Sequence, residues 1–391
     1  MKTSYDFTSA IDRRKMHSRK WQMMDDLNPD VAEGIIPLSV ADMEFYPAPE
    51  ITEGLKQYLD DIVLGYTLPS DAYYTAVTNW FKAEHDWDFP KEAIVLSPNV
   101  VSAIKTALLA FTEEGDSALF FSPHYMPFKD AVTGLRREAV TVPLVGEFGA
   151  AKIDFEAFEA AAARPEVKVF IHCSPHNPTG RVWTPEEQER LLQICEKHGL
   201  FIIADEIWQD FDFTGHHINM AKVSGGRVPV ITCTSASKSF NLAGLNCANT
   251  VILEENWRAH FAETALNYGI AAGNVLGMRG VELAYTKAKP WLTEVKELLR
   301  HNEQMLVDFI SEQELPIKAY VPEGTYVQWL DFSECPLKGD ALPTCLYEKA
   351  SFFSQGEADF GLTEGDFQRV NIALPTESLK KCLERLAEAL Q

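Results

Sequence analysis

The chain is short of several things. Its seven cysteines are odd in number and contain no CxxC pair. Disulfide stapling is therefore a poor reading, and a reducing compartment is the natural one. Positive charge is scarce: 35 Lys and Arg stand against 57 Asp and Glu, a formal net charge of −22. So acidic a surface repels phosphate backbones and anionic lipid, which excludes nucleic acid or a membrane surface as the main partner. No apolar run approaches the ~18 residues that span a bilayer, and Met1-Lys2-Thr3-Ser4-Tyr5-Asp6 opens no hydrophobic leader. Internal repeats and low-complexity tracts are also missing. These readings give a soluble protein with a cytoplasmic location.

What is present fits a two-domain globular chain: 391 residues, 46% of them hydrophobic and 24% charged. Short apolar runs recur at Ala93–Ser97, Ala118–Ser122, Val140–Val142, Val167–Cys173, Leu200–Asp205, Val228–Thr234 and Asn249–Leu253. Most are apolar on both faces, as in strands of a mostly parallel sheet covered by helices. Helical patterns lie between them, including Val101–Phe111, Tyr125–Thr133 and Glu186–His198. Thr184-Pro185-Glu186-Glu187 reads as a capping box with proline at the first helical position, and Gly199 sits where a C-cap belongs. After about residue 280 the pattern changes. A long helix is expected over Trp291–Glu312, strands over Thr325–Leu330 and Phe367–Ile372, and a last helix from Glu377. The expected division is an N-terminal arm over 1–45, a large domain over 46–280 and a small α+β domain over 281–391.

Three polar segments follow strand ends, the edge at which open α/β sheets bind ligands. They are Ser174-Pro175-His176-Asn177-Pro178-Thr179-Gly180, Asp205-Glu206, and Thr234-Ser235-Ala236-Ser237-Lys238-Ser239. Each alone has an ordinary reading: a turn, a capping carboxylate, a solvated loop lysine. Together Asn177, Asp205 and Lys238 are spaced by about one strand–helix–strand unit each. A carboxylate straight after a buried strand needs a partner. A buried lysine among small residues can have a lowered pKa and act as a nucleophile or base.

The three motifs in this order resemble the fold-type-I enzymes that use pyridoxal 5'-phosphate (PLP). The resemblance implies that Lys238 carries the cofactor covalently and moves the substrate Cα proton. Asp205 holds the pyridine nitrogen protonated, Asn177 donates to the phenolate oxygen, and Tyr125 stacks on the ring. Ser235, Ser237 and the backbone of Val100 and Val101 at a helix start take the phosphate, and Arg369 takes the substrate carboxylate. Gly65-Tyr66-Thr67 resembles the segment by which a neighbouring subunit sends a tyrosine to the phosphate, which implies a homodimer with shared sites and a catalytic part for Tyr66.

Further stretches narrow the likeness. Asp12-Arg13-Arg14, Pro37-Leu38-Ser39-Val40-Ala41-Asp42-Met43-Glu44-Phe45, His176-Asn177-Pro178-Thr179-Gly180-Arg181-Val182-Trp183, Ser237-Lys238-Ser239-Phe240-Asn241 and Thr325-Tyr326-Val327-Gln328-Trp329 are similar to the MalY/PatB type of cystathionine β-lyase, a branch of the class I/II aminotransferase group. That branch implies αβ-elimination on L-cystathionine or related cysteine S-conjugates, a role in amino-acid metabolism, and Ala41 and Asp42 beside the substrate. No metal is implied. A class I/II aminotransferase is the alternative, and a PLP-binding regulatory protein with slight catalysis is a third reading. Trp208, three residues after Asp205, departs from the tyrosine or histidine usual there. Asn99 replaces a common glycine, and no proline precedes Gly356.

Overall fold

A computed structural model describes residues 5–270 and 273–391; residues 1–4, at the start of the expected arm, and Ala271 and Ala272 lie outside the described residues. The seven apolar runs form one sheet. Its strands are β1 (Ile94–Ser97), β2 (Ser117–Ser122), β3 (Glu138–Pro143), β4 (Val167–Cys173), β5 (Phe201–Asp205), β6 (Val230–Thr234) and β7 (Ala248–Val251). The order is β1-β7-β6-β5-β4-β2-β3, and only β7 runs against its neighbours.

Burial on both faces explains why these runs carry so little polar alternation. In β4, Val169, Ile171 and Cys173 enter one apolar cluster while Phe170 enters the other. In β5, Phe201 and Ile203 alternate with Ile202 and Ala204 in the same way. Asp205 therefore ends the β5 row that begins with Phe201, beneath the helix Val100–Phe111, whose Val100, Ala103 and Ile104 share that cluster.

The helix Pro185–His198 begins in the expected capping box. Thr184 Oγ accepts from Glu187 N while Glu187 Oε2 accepts from Thr184 N, and Gly199 closes the helix in the left-handed region at φ 69°. The long helix spans Lys289–Glu312 and the last Thr376–Leu390. Beyond it a small antiparallel sheet orders β8 (Val327–Asp331), β10 (Phe367–Asn371) and β9 (Gln355–Gly356). The two-residue β9 was not foreseen, since so short a run has no periodicity to read.

The described part of the first 45 residues contributes a 3-10 turn, Arg14–Met16, the α-helix Arg19–Leu27, and an extended run that binds the small sheet. Asn371 N donates to Leu38 O, Leu38 N to Phe353 O, and Glu44 N to Ala373 O. Asn371 Nδ2 holds the carbonyls of Val40 and Asp42 at 2.8 and 2.6 Å. These bonds fix the backbone of Ala41 where it meets Lys238.

Candidate active site

The ends of β4, β5 and β6 open on one cavity of about 510 Å³. Asn177, Asp205, Ser235, Ser237, Lys238, Arg369, Tyr125, Val100, Val101 and Ala41 all line it. The sequence spacing thus brought together residues from three strand ends, one helix start, the arm and the small sheet.

Local folding places each group. After β4 the chain turns sharply, with Gly180 N donating to His176 O and Trp183 Nε1 pinning the loop to Cys173 O. Gly180 is needed there: its φ is +67°, and a Cβ would meet Pro322 Cβ at 2.5 Å and the Gly324 carbonyl at 2.9 Å. Glu323 closes the same contact by accepting from Arg181 Nη1 and Val182 N. After β6, Ser235 caps the single turn Ala236–Ser239 that presents Lys238. The turn is held from behind as well. Ser239 Oγ donates to the buried Asp210, which also accepts from Trp80 Nε1 at 3.2 Å and faces His85 Nε2 at 2.9 Å.

The charges in the cavity are short of partners. Lys238 Nζ donates to the Ala41 carbonyl at 2.7 Å and lies 5.2 Å from the centre of the Trp208 ring. It forms no ion pair among the described residues. Burial, with the Arg369 charge nearby, lowers its pKa to about 8. Asp205 is buried, and among the described residues its side chain accepts only the Ile207 N–H, at 3.2 Å. Burial raises its pKa to about 7 against the pull of that N–H and of Lys238. Arg369, on β10, is 3% exposed and meets no carboxylate among the described residues. It donates to Asn177 Oδ1 at 3.0 Å and to Gln355 Oε1, its Nε is left without an acceptor, and burial lowers its pKa to about 10. One buried carboxylate, one amine and one guanidinium stand here without ionic partners, an arrangement that a bound ligand must resolve.

Several expected residues take different places. Ser235 was expected on the phosphate and lines the cavity; its hydroxyl also serves the turn, donating to Cys247 O at 2.7 Å and accepting from Ser237 N. Asp42 was expected beside substrate. Its carboxylate instead binds Arg13 Nη2 at 2.7 Å and lies 3.5 Å from Lys20 Nζ, outside the cavity lining. Burial raises Asp42, but Lys20 and Arg13 outweigh it and hold the group below the usual carboxylate range. Only the backbone of this pair of positions meets Lys238, through Ala41. Tyr66 is fully exposed and lines no part of this chain's own cavity.

Other lining residues were not foreseen as site residues. Arg19, Gln355, Asp359 and Phe360 reach the cavity from the arm and the small sheet, where contacts depend on distant packing. Tyr326 donates to the same Ala41 carbonyl at 3.1 Å, and Trp208 packs edge-on against it at 4.6 Å. That packing accounts for Trp208 as a wall of the cavity rather than a hydroxyl donor. Asn99 caps its helix through Ser102 N. The amides of Val100 and Val101 are left without intrahelical acceptors.

With this geometry in view, the comparisons with known proteins fall into place. The family model for aminotransferase class I and II matches residues 33–386, and the chain belongs to that family. Within it, the chain is 33% identical over 387 residues to cystathionine beta-lyase PatB of Bacillus subtilis, covering 98% of this chain and all of the relative. It is 29% identical to protein MalY of Escherichia coli, covering 99% of each. Among solved structures, cystalysin from Treponema denticola, which contains PLP, superposes with a TM-score of 0.96 at 35% identity, covering 99% of this chain and 98% of that one. The PLP-bound C-S lyase from Staphylococcus hominis gives 0.91 at 29% identity, covering 100% and 99%. The fold is that of the fold-type-I PLP enzymes.

The residues present fit PLP. The unpaired Asp205 suits a protonated ring nitrogen, and the depressed Lys238 suits a covalent link. The free amides of Val100 and Val101 with the Ser237 hydroxyl suit a phosphate. Asn177 uses its oxygen on Arg369, which leaves its amide N–H groups for the phenolate oxygen.

Proposed function

We propose that this protein is a PLP-dependent carbon–sulfur β-lyase that cleaves L-cystathionine or related cysteine S-conjugates to a thiol, pyruvate and ammonia. The observation that carries the reading is the cavity's set of unpaired charges, Lys238, Asp205 and Arg369, on a chain whose full-length relatives include named cystathionine β-lyases. When bound, PLP supplies an electron sink for negative charge at the substrate Cα.

The chain's own residues do the rest. Arg369 binds the substrate α-carboxylate with its two terminal nitrogens, and Asn177 and Gln355 hold the guanidinium plane. Lys238, with a pKa near 8, is neutral in a useful fraction near neutral pH and takes the Cα proton. Asp205 keeps a proton on the ring nitrogen. Ala41 O, fixed by the Asn371 bonds on either side of it, orients the Lys238 amine. The Cβ–S bond then breaks and its electron pair leaves as thiolate. A thiol of pKa near 8.5 is a fair leaving group. The remaining 2-aminoacrylate takes up water to give pyruvate and ammonia.

The reading extends to a homodimer acting in the cytoplasm. Val63, Leu64, Tyr66 and Leu68 expose apolar side chains in one loop, and Leu266, in the helix Glu255–Asn267, and Tyr268 at its end are exposed as well. Such exposure suits a contact with a second copy. In it Tyr66 of one subunit serves the phosphate end of the other's cavity. The seven thiols are all buried and unpaired, in keeping with a reducing compartment, and among the described residues no helix is long and apolar enough to cross a membrane.

The test is a single incubation of PLP-loaded protein with L-cystathionine. Pyruvate and free thiol formed without any added keto acid are expected. Product that appears only when a keto acid is supplied would replace the lyase by an aminotransferase, and stoichiometric partner capture with turnover at background would favour a regulatory protein.

A further inference from the structure

The lyase reading leaves one charge unaccounted for. When Lys238 takes the Cα proton, Nζ becomes an ammonium on a half-buried side chain, while the C–H electron pair stays with the substrate. No carboxylate forms an ion pair with it among the described residues. Burial opposes its charge most, Arg369 and Lys20 oppose it as well, and Asp42 and Asp205 favour it from a distance. Asp42 is already bound to Arg13 and lies near Lys20. What Nζ does touch is neutral. It donates to Ala41 O at 2.7 Å and stands over the Trp208 ring, 5.2 Å from its centre. That ring is held in place. Trp208 is 2% exposed, its carbonyl accepts from Phe211 N at 2.8 Å, and Tyr326 packs against it at 74° with ring centres 4.6 Å apart. Tyr326 also donates to Ala41 O at 3.1 Å, so one side chain fixes both of the lysine's contacts. Arg369, another cation of the cavity without an ionic partner, is treated the same way: it lies 4.8 Å from the centre of the Phe360 ring.

The size of each contact decides what it can be for. A carboxylate about 4 Å away would favour the ammonium by about 10³-fold. The lysine would then stay charged near neutral pH and could not act as a base. With no partner at all, the ammonium would be uncompensated and the proton transfer uphill. An aromatic face favours a cation by about tenfold through its negative quadrupole, and indole is the best of the natural rings. We propose that the face of Trp208 takes the place of a counter-ion for Lys238, holding the ammonium that forms when the lysine accepts the Cα proton without locking the lysine in that form. Trp208 is thus a positioning residue for the proton transfer. The inference rests on the lyase reading and gives a part in it to the residue that departs from the tyrosine or histidine usual three positions after Asp205.

The experiment reads the titration of Lys238 itself in the cofactor-free protein. Acetic anhydride is added across a pH series, and acetylation of Lys238 is followed by mass spectrometry. Tryptophans carrying one, two or three fluorines are placed at position 208 by nonsense suppression. Each fluorine drains the π face and leaves the shape of the ring almost unchanged. The midpoint is expected to fall stepwise, to about one pH unit below the wild type, the tenfold that the face supplies. Trp208→Phe should give part of that shift and Trp208→Leu all of it. In the PLP-loaded protein KM for L-cystathionine should hold. There kcat on the alkaline limb of its pH profile should fall about threefold, the square root of tenfold for a proton half transferred at the barrier. An unmoved midpoint across the fluorinated series overturns the proposal. So does a series that lowers the thermal midpoint while the titration of Lys238 stays in place, since the ring would then be only a wall. The titration needs neither cofactor nor substrate, so the lyase reading fails separately: a loaded wild type that releases no thiol from L-cystathionine removes that reading and, with it, the step assigned to Trp208.

Discussion

Two clusters of buried and half-buried charge lie on either side of the Ala41 backbone, and they have opposite character. On one side Lys20, Arg13, Asp42 and Glu44 satisfy one another. Glu44 accepts from Arg13 and Lys20 at 2.9 Å and from Trp21 Nε1 at 3.0 Å, and Arg13 reaches Asp42 at 2.7 Å. On the other side Asp205 and Arg369 are buried, Lys238 is half-buried, and the three have almost nothing ionic to bind among the described residues. The first cluster ties the arm together. The second holds its charges for molecules that come and go. A buried charge thus reports function by the lack of a partner rather than by burial itself.

The largest effect should come from the second cluster. Lys238→Ala is expected to lower kcat for elimination by on the order of 10³-fold or more, as loss of a positioned base does, while the thermal midpoint of the cofactor-free protein stays or rises. A fall in that midpoint would mean Lys238 is structural. Next comes the first cluster. Lys20→Ala leaves Glu44 with Arg13 and Trp21 alone and should cost about 1.5–3 kcal/mol of stability in denaturant unfolding, with KM on the folded fraction little changed. If Lys20→Ala instead abolishes turnover at unchanged stability, the two clusters have been assigned the wrong way round.

Asp205→Asn should separate activity from stability. Elimination is expected to drop by about 10²-fold. The cofactor-free protein should gain about 1–2 kcal/mol near neutral pH, because an uncompensated buried charge is gone. The sign follows from the raised pKa. Between about pH 4, the ordinary carboxylate value, and about 7 the folded carboxyl keeps a proton that the unfolded one releases, so wild-type stability falls as pH rises across that window. The variant should lose this slope, and an unchanged slope would place the charge elsewhere. Arg369→Lys keeps the charge but not the fork, and should raise KM for amino-acid substrates about tenfold. The smallest effect belongs to neither cluster: Thr184→Ala removes the capping box and should lower stability by about 1 kcal/mol with KM unmoved.

Much of the paired and unpaired pattern was legible beforehand on one side only. Apolar runs on both faces announced β4, β5 and β6, and the polar residues at their ends announced the cavity. Local chemistry sufficed because each signal lay within a few residues of a strand end. The arm was different. Asp42 read as a substrate contact because its neighbours matched a motif, yet Arg13 and Lys20 claim it. Nothing periodic links positions 13, 20, 42 and 44, so only the folded arm shows that they meet. Ser235 has a second duty that its position alone does not show, since a serine after a strand also serves a helix start. Arg19 stayed hidden because the start of an isolated helix says nothing about which cavity it faces.

The contrast between the clusters reduces to two lysines, Lys20 and Lys238, and one measurement separates them. The PLP-loaded protein is reduced with borohydride, digested and mapped by mass spectrometry. The account predicts the cofactor's mass on Lys238 and none on Lys20. Label on Lys20, or on any lysine other than Lys238, would contradict it.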